Sequence, residues 1–151
     1  MARTINGIDE LKALVGEELG TSDWLEITQD RVNTFADATG DHQWIHVDPE
    51  LAAAGPFGKT IAHGYLTLSL LPVLVAPITH VSGVRMGVNY GTNKVRFPAP
   101  LPVDSRVRAR VELLSVDDVE GGYQVTAKVT IEREGGDKPV CVAESVSRIY
   151  T

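Results

Sequence analysis

Apolar residues in the first third of the chain recur at spacings that predict two helices and a strand. Residues 8–15 carry apolar side chains three and four positions apart, which is typical of a short amphipathic helix. The segment 19–27 favours a strand. Thr28 then provides an N-cap for a second helix that extends to about residue 38. Gly40 is suited to end that helix because glycine readily adopts the left-handed conformation of a C-terminal stop.

The middle third predicts one short helix and one long apolar helix. Asp48 followed by Pro49 is the pattern of an N-cap and a first helical residue, and Gly55-Pro56 ends the short helix that they begin. The run YLTLSLLPVLVAPI, residues 65–78, is apolar on nearly all sides. We therefore expect a buried helix there, kinked at Pro72.

The pattern changes to strict alternation after Ser82, which predicts strands. Apolar Val107, Ala109 and Val111 alternate with three arginines, so this strand has one buried and one solvated face. Hairpin turns are expected at residues 120–122 and 135–137. The predicted strands are 83–91, 93–101, 105–119, 122–134 and 139–150. Helices followed by an antiparallel sheet indicate an α+β fold with a curved sheet around the buried helix.

Chain length and composition indicate the number of domains and the charge of the surface. The 151 residues suit a single domain over residues 1–151, and 43% hydrophobic residues suit a globular core. Fourteen basic and twenty acidic residues give a net charge of −6. An acidic surface argues against nucleic acid as a partner, since phosphates require a basic patch.

The single cysteine and the lengths of the apolar segments indicate where in the cell the protein is expected. Cys141 is the only cysteine, lies in an apolar run and is expected to fill the core. The N-terminal residues lack the apolar stretch of a signal peptide. The most apolar segment, 65–78, is too short to span a bilayer. We expect a cytoplasmic protein with no membrane association.

Candidate chemistry is concentrated in the segment TGDHQWIHVDPE, residues 39–50. Its pattern predicts a loop between two helices that carries Asp41, His42, His46 and Asp48. A carboxylate and an imidazole that converge on one water can move protons near neutral pH, which makes Asp41 and His46 candidates for an acid/base pair. Two alternatives stay open: solvated turn residues and metal ligands. The spacing does not match a common metal motif, so we expect no metal, and the helix cap accounts for Asp48.

A second feature lies at the start of the apolar helix. His63 precedes Gly64 there, where the first backbone N–H groups have no partner within the helix. Such an N–H can hold an oxygen that gains negative charge during a reaction. The alternative is that Gly64 only permits a tight turn and that His63 is structural.

These residues resemble a known family. FADATGDHQWIHVDPELAAAGPFGKTIAHGYL, residues 35–66, is similar to the MaoC-like (R)-specific enoyl-CoA hydratases and dehydratases of hot-dog fold. The matching positions are Gly40, Asp41, Ile45, His46, Asp48, Pro49, His63 and Gly64. Two positions depart: Gln43 stands where the family has Asn, and Trp44 where it has Pro. Gln43 keeps an amide that can bind water, whereas Trp44 adds bulk.

The resemblance implies an activity. The substrate would be a trans-2-enoyl thioester of coenzyme A, and the product an (R)-3-hydroxyacyl-CoA. Gly64 N–H would polarise the carbonyl, His46 would act as base toward the water, and Asp41 would orient that water and help to protonate C2. No cofactor would be needed, because coenzyme A is part of the substrate. Acyl-CoA thioesterase activity and a non-catalytic acyl-CoA-binding subunit are the alternatives.

The resemblance also implies an assembly and a binding channel. Two subunits would form a homodimer with their sheets joined edge to edge, and coenzyme A would lie near the subunit boundary. Lys94 or Arg96 would receive its phosphates. The residues expected to contact substrate are Gln43, Ala62, His63, Gly87, Val88, Asn89, Tyr90, Phe97, Pro98 and Ala99.

Overall fold

The computed structural model describes residues 2–151, and these form six helices and eight strands. Helices occupy mainly the first half, and the long strands occupy the second. The elements in chain order are β1 (Arg3–Ile5), α1 (Gly7–Ala13), β2 (Glu18–Thr21), β3 (Leu25–Glu26), α2 (Gln29–Thr39), α3 (Trp44–Val47), α4 (Pro49–Ala53), α5 (Gly64–Ser69), α6 (Leu71–Val75), β4 (Thr79–Val81), β5 (Met86–Arg96), β6 (Arg106–Val119), β7 (Gly122–Arg133) and β8 (Cys141–Tyr150).

A curved antiparallel sheet is the main structural layer. Its strands lie in the order β2-β6-β7-β8-β5, and β3 pairs with β6 beyond the end of β2. The pairings of β6 with β7 and of β5 with β8 contain register shifts, which bend a sheet and increase its twist. The strand β5 is one edge of this sheet.

The core lies between the concave face of the sheet and the helices α5 and α6. Buried side chains from the sheet, including Val107, Leu113 and Ile131, form one cluster with Leu66 and Leu74 of the two helices. Full burial of such a side chain is typically worth about 1.5–3 kcal/mol. This arrangement, a sheet wrapped around a central helical segment, is the hot-dog fold and confirms the predicted α+β class.

Local signals for caps and alternation are confirmed. The Thr28 side chain accepts a hydrogen bond from the backbone N–H of Arg31 at 3.1 Å, and Gly40 ends α2 in the left-handed conformation. Asp48 Oδ1 accepts from Leu51 N–H at 3.1 Å at the start of α4. In β6, Val107, Ala109 and Val111 are buried while the arginines between them are not.

The prediction of a single buried central helix, kinked at Pro72, is wrong in two respects. The segment forms two helices, α5 and α6, that meet at Leu70. Pro72 lies in the first turn of α6, where its missing N–H costs nothing. One side of both helices is exposed, with Tyr65 at 73% and Val73 at 54%. Only the opposite side faces the sheet.

Other predicted boundaries also changed. The strand expected at 19–27 is divided into β2 and β3, which pair with different parts of β6. The two strands expected at 83–91 and 93–101 are the single strand β5. The short parallel pair β1 and β4 was not predicted. The turn between β6 and β7 is Glu120-Gly121, and Gly122 already belongs to β7.

Within residues 2–151, no helix has both the length and the apolar character needed to cross a membrane.

Candidate active site

Asp41 is presented by the turn that follows α2. Gly40 takes φ of 82°, which redirects the chain at the helix end. Asp41 is exposed, and its Oδ1 accepts a hydrogen bond from Gln43 N–H at 3.3 Å. This short local bond orients the carboxylate within the turn. The end of α2 therefore places the acidic group of the predicted pair at the surface.

His46 lies on a helical turn that was predicted as loop. Residues Trp44–Val47 form α3, so the expectation of an irregular segment between the two predicted helices is wrong for these residues. The turn directs His46 inward, where the residue is 7% exposed. Its backbone carbonyl accepts a hydrogen bond from Gln29 Nε2 at 2.8 Å, and Gln29 Oε1 accepts from Thr60 Oγ1 at 2.6 Å. Gln29 thus joins α2 to the site.

The hydrogen bonds of His46 assign its tautomer. Nδ1 lies 2.7 Å from the carbonyl oxygen of Ile61. Because a carbonyl can only accept, Nδ1 must carry the hydrogen. In the neutral ring, Nε2 then carries no hydrogen and can accept a proton. This is the state that a general base requires.

Three titratable side chains converge at this point. One carboxylate oxygen of Asp41 and one ring nitrogen from each of His46 and His63 lie within 4.8 Å of one another. A water that accepts or donates two hydrogen bonds of ordinary length, about 2.7–3.2 Å, can bridge groups at this separation. The rings of His46 and His63 are stacked, with centroids 3.9 Å apart and planes at 23°.

The stacking bears on the metal alternative. An imidazole binds a metal through a lone pair that lies in the ring plane. Two stacked rings with centroids 3.9 Å apart and planes at 23° do not direct their lone pairs at one point. The arrangement of His46 and His63 therefore suits proton transfer better than shared metal coordination.

A cavity of about 310 Å³ opens beside His46. His46 and Gly64 lie on its wall, and Gly64 is the first residue of α5, so its N–H has no partner within the helix. The lining is otherwise largely apolar. It comprises His46, Phe57, Ile61, Ala62, Gly64, Thr67, Phe97, Ala99, Pro100, Leu101 and Val140.

Gly64 is needed here for close packing as well. A Cβ at this position would lie 3.0 Å from the Phe97 ring. That distance is shorter than van der Waals contact, so Phe97 could not keep its place against a larger residue. The ring of Phe97 thereby packs closely against Gly64 in the wall of the cavity.

The structure gathers some of the expected substrate residues at the cavity and not others. Ala62, Phe97 and Ala99 line it. Gln43 and Pro98 do not, and the indole of Trp44 packs over Gly55 instead.

The segment Gly87–Tyr90 lies on the exposed edge strand β5, away from this cavity. Asn89 lines a separate apolar cavity of about 260 Å³ between α6 and the sheet. Gly87, Val88 and Tyr90 line neither cavity. Within one chain, these four residues therefore do not meet His46.

Phe57, Thr67 and Gln29 were missed by sequence reasoning. Phe57 and Thr67 contribute to the cavity wall, and Gln29 holds the backbone of His46. Phe57 follows Gly55-Pro56 and carries no pattern of its own. Thr67 lies one turn after Gly64, a spacing that places it on the same helix face and that could have indicated it.

His42 is not part of the cluster. Its Nε2 lies 3.0 Å from Asp37 Oδ1, and this ion pair raises the pKa of His42. Both side chains are more than half exposed. The pair is a surface feature of the end of α2.

Fold and site together define a hot-dog protein in which His46 lines a cavity and the exposed Asp41 lies close to it. The chain belongs to the MaoC-like dehydratase family, since the pattern of the MaoC-like domain matches residues 10–134. It is 60% identical over 147 residues to 3-hydroxyacyl-thioester dehydratase Z of Mycobacterium tuberculosis, covering 97% of each chain. It is 35% identical over 113 residues to the 3-hydroxybutyryl-CoA dehydratase of Methylorubrum extorquens, covering 70% of this chain and 68% of that one. The solved (R)-hydratase from A. caviae involved in PHA biosynthesis superposes with a TM-score of 0.70 at 26% identity, covering 88% and 94% of the two chains.

Proposed function

We propose that this protein catalyses the reversible (R)-specific hydration of trans-2-enoyl-CoA to (R)-3-hydroxyacyl-CoA. The observation that carries the proposal is the Asp41 carboxylate within 4.8 Å of a ring nitrogen of His46, a residue that lines one cavity together with Gly64. The named dehydratases of acyl thioesters among the relatives support the substrate class. The similarity to an (R)-hydratase supports the stereochemistry.

The mechanism follows from the hydrogen bonds of the site. A water held between Asp41 and His46 gives a proton to His46 Nε2 as its oxygen bonds to C3 of the substrate. Negative charge develops on the thioester oxygen, and the Gly64 N–H stabilises it, a type of contact worth roughly 10²–10³ in rate. C2 then receives a proton through the Asp41–His46 pair. The sum is addition of one water, and no cofactor or metal is consumed.

Charge distribution supports a coenzyme A thioester. Residues 51–103 hold four basic side chains and no Asp or Glu, so this segment carries +4, while ten basic and twenty acidic residues elsewhere give −10. The segment includes all of the residues that line the cavity except His46 and Val140, and all of β5. Lys94 and Arg96, two residues apart on β5, form no ion pair within residues 2–151. We propose that they attract the phosphates of coenzyme A.

Substrates with and without the nucleotide test this role. Replacing Lys94 and Arg96 by Ala should raise KM for crotonyl-CoA about fivefold at low salt, since exposed charge pairs are worth up to about 1 kcal/mol each. KM for crotonyl-pantetheine, which lacks the nucleotide phosphates, should stay unchanged. Equal effects on both substrates would contradict phosphate binding by this pair.

The free edge of the sheet supports a homodimer. All eleven residues of β5 except Val95 are exposed, and the outer edge of this strand pairs with no other strand of the described chain. Exposed apolar edge strands are sites of strand pairing between chains. We propose that two copies of β5 pair, and that Gly87–Tyr90 then contribute to a channel at the subunit boundary.

One assay tests the reaction class. Crotonyl-CoA is mixed with the protein, and the loss of enoyl absorbance is followed together with the release of free thiol. Absorbance loss without thiol identifies a hydratase, whereas thiol release identifies a thioesterase, and binding without either change identifies a non-catalytic subunit. The reverse reaction with (R)- and (S)-3-hydroxybutyryl-CoA tests stereochemistry, and dehydration of the (S) compound at an equal rate would contradict it.

A further inference from the structure

His63 has an environment that the proposed reaction does not explain. It is 3% exposed and is not among the residues that line the cavity beside His46. Its ring stacks on that of His46 and also lies against the ring of Phe35 of α2, at a centroid distance of 4.9 Å. Its Nε2 lies 3.0 Å from the backbone carbonyl oxygen of Asp41.

We propose that His63 is a positioning residue that sets the separation between the Asp41 turn and the His46 ring. This inference rests on the proposed function, because the separation matters for the water held between the two side chains. It replaces the expectation that His63 binds substrate.

The hydrogen bond of His63 assigns its tautomer. The Asp41 carbonyl can only accept, so Nε2 of His63 carries the hydrogen. One ring therefore fixes the backbone of Asp41 through a hydrogen bond and the ring of His46 through a stacked face. His63 is also the N-cap residue of α5 and precedes Gly64 directly. His63 therefore contacts Asp41 and His46 through its side chain and is joined to Gly64 through the backbone, and these are the three residues assigned to the reaction.

The other ring nitrogen, Nδ1, indicates that His63 does more than fill space in the core. Nδ1 is buried and has no hydrogen-bond partner. Buried polar atoms are nearly always paired, so an unpaired one requires an explanation. An aromatic hydrocarbon ring of similar size would fill this space without an unpaired nitrogen, but it would not hold the Asp41 turn.

Two matched variants separate the hydrogen bond from the stacked ring. H63F keeps a ring against His46 and removes the donor to Asp41. H63Q keeps a side-chain N–H at about the position of Nε2 and removes the ring. We expect H63F to lower kcat for crotonyl-CoA up to about 100-fold, the effect of a displacement near 1 Å, with KM changed less than threefold. H63Q should retain more activity than H63F.

The measurements include readouts that a merely structural residue would not change. Thermal unfolding should give H63F a Tm close to that of the unchanged protein. Wild-type kcat in H63F, a rise in KM alone, or a fall in Tm that parallels the loss of kcat would each overturn the proposal. If H63F does not fold, H63Q decides: reduced kcat at unchanged KM supports the positioning role, and unchanged kcat overturns it.

A spectroscopic test is independent of the reaction. Nitrogen NMR of the imidazoles should show His46 of the unchanged protein with its hydrogen on Nδ1, and H63F should shift the His46 ring signals. Unchanged His46 signals in H63F would overturn the positioning role even if the unchanged protein proved to have no hydratase activity. Absence of that activity alone would overturn only the proposed function.

Discussion

His46 shows how neighbouring atoms determine the chemistry of one residue. The carbonyl of Ile61 accepts a hydrogen bond from Nδ1–H, which leaves Nε2 of this cavity-lining residue as the acceptor. The sequence motif identified His46 and Asp41 because both stand in a short, closely spaced segment. It did not identify the partner of His46, since Ile61 is fifteen residues away and contributes only its backbone. The same limit applied to His63, whose stacking on His46 depends on the fold.

Replacing either member of the pair should remove most of the activity. Asp41→Asn and His46→Gln each lose a group that holds or accepts a proton, so kcat/KM for crotonyl-CoA should fall at least about 100-fold. Steady-state absorbance assays measure this directly.

The neighbouring surface pair provides matched controls. His42→Gln and Asp37→Asn make the same chemical changes in the exposed ion pair at the end of α2. Both should leave kcat/KM within about twofold of wild type, since neither group is in the cluster. A loss in H42Q as large as that in H46Q would contradict the assignment of the base.

At the scale of elements, short-range signals were reliable and boundaries set by distant contacts were not. The caps at Thr28 and Asp48 each depend on a bond to a residue three positions away, so the sequence contains both partners. The division of the central segment at Leu70 and the union of two predicted strands into β5 depend on packing and on pairing with β8. Residues far apart in the chain decide those features.

Asp48 should prove to be a stability residue and not a catalytic one. Asp48→Ala removes the acceptor for Leu51 N–H at the start of α4, which typically costs about 1 kcal/mol. For a chain of this length, we expect a Tm lower by about 2–4 °C, measured by calorimetry. The kcat of D48A should remain within about threefold of wild type.

Asp137, in the exposed turn after β7, offers a control for the loss of a carboxylate. Asp137→Ala should leave Tm unchanged. If D48A lost activity as strongly as D41N does, the cap interpretation would be wrong.

At the scale of the whole molecule, the exposed edge of the sheet predicts an oligomer. Val88→Lys places a charge on β5, where it would oppose strand pairing between two copies. We expect V88K to elute as a monomer in size-exclusion chromatography with light scattering, while the unchanged protein elutes as a dimer. Val15→Lys makes the same substitution at an exposed valine after α1 and should remain dimeric. Identical masses for V88K and the unchanged protein would exclude β5 as the interface.

The single cysteine reports on the integrity of the core. Cys141 is fully buried, and burial raises the pKa of its thiol to about 11. At pH 8, a thiol reagent should therefore label the native protein no faster than local or global unfolding exposes Cys141. Labelling should become complete in denaturant. Rapid labelling of the folded protein would contradict the placement of Cys141 at the start of β8.

The same thiol should make the protein less stable as the solution becomes alkaline. Its pKa is higher in the folded state than the ordinary value of 9.0, so the folded state keeps the proton over a pH range where the unfolded state loses it. The free energy of unfolding should therefore fall as pH rises from about 9 towards 11, and urea unfolding at several pH values measures this change. Cys141→Ala should show a smaller pH dependence over that range.

The sequence by itself determined the features whose physical cause lies within a few residues or in a repeating pattern. These are the caps of α2 and α4, the two faces of β6, and the close spacing of Asp41 and His46. Tertiary structure alone decided which nitrogen of His46 is free, which ring stacks on it, and which side of α5 and α6 is exposed. The reason is that these properties arise where segments distant in the chain meet, and no local pattern records the identity or orientation of a distant neighbour.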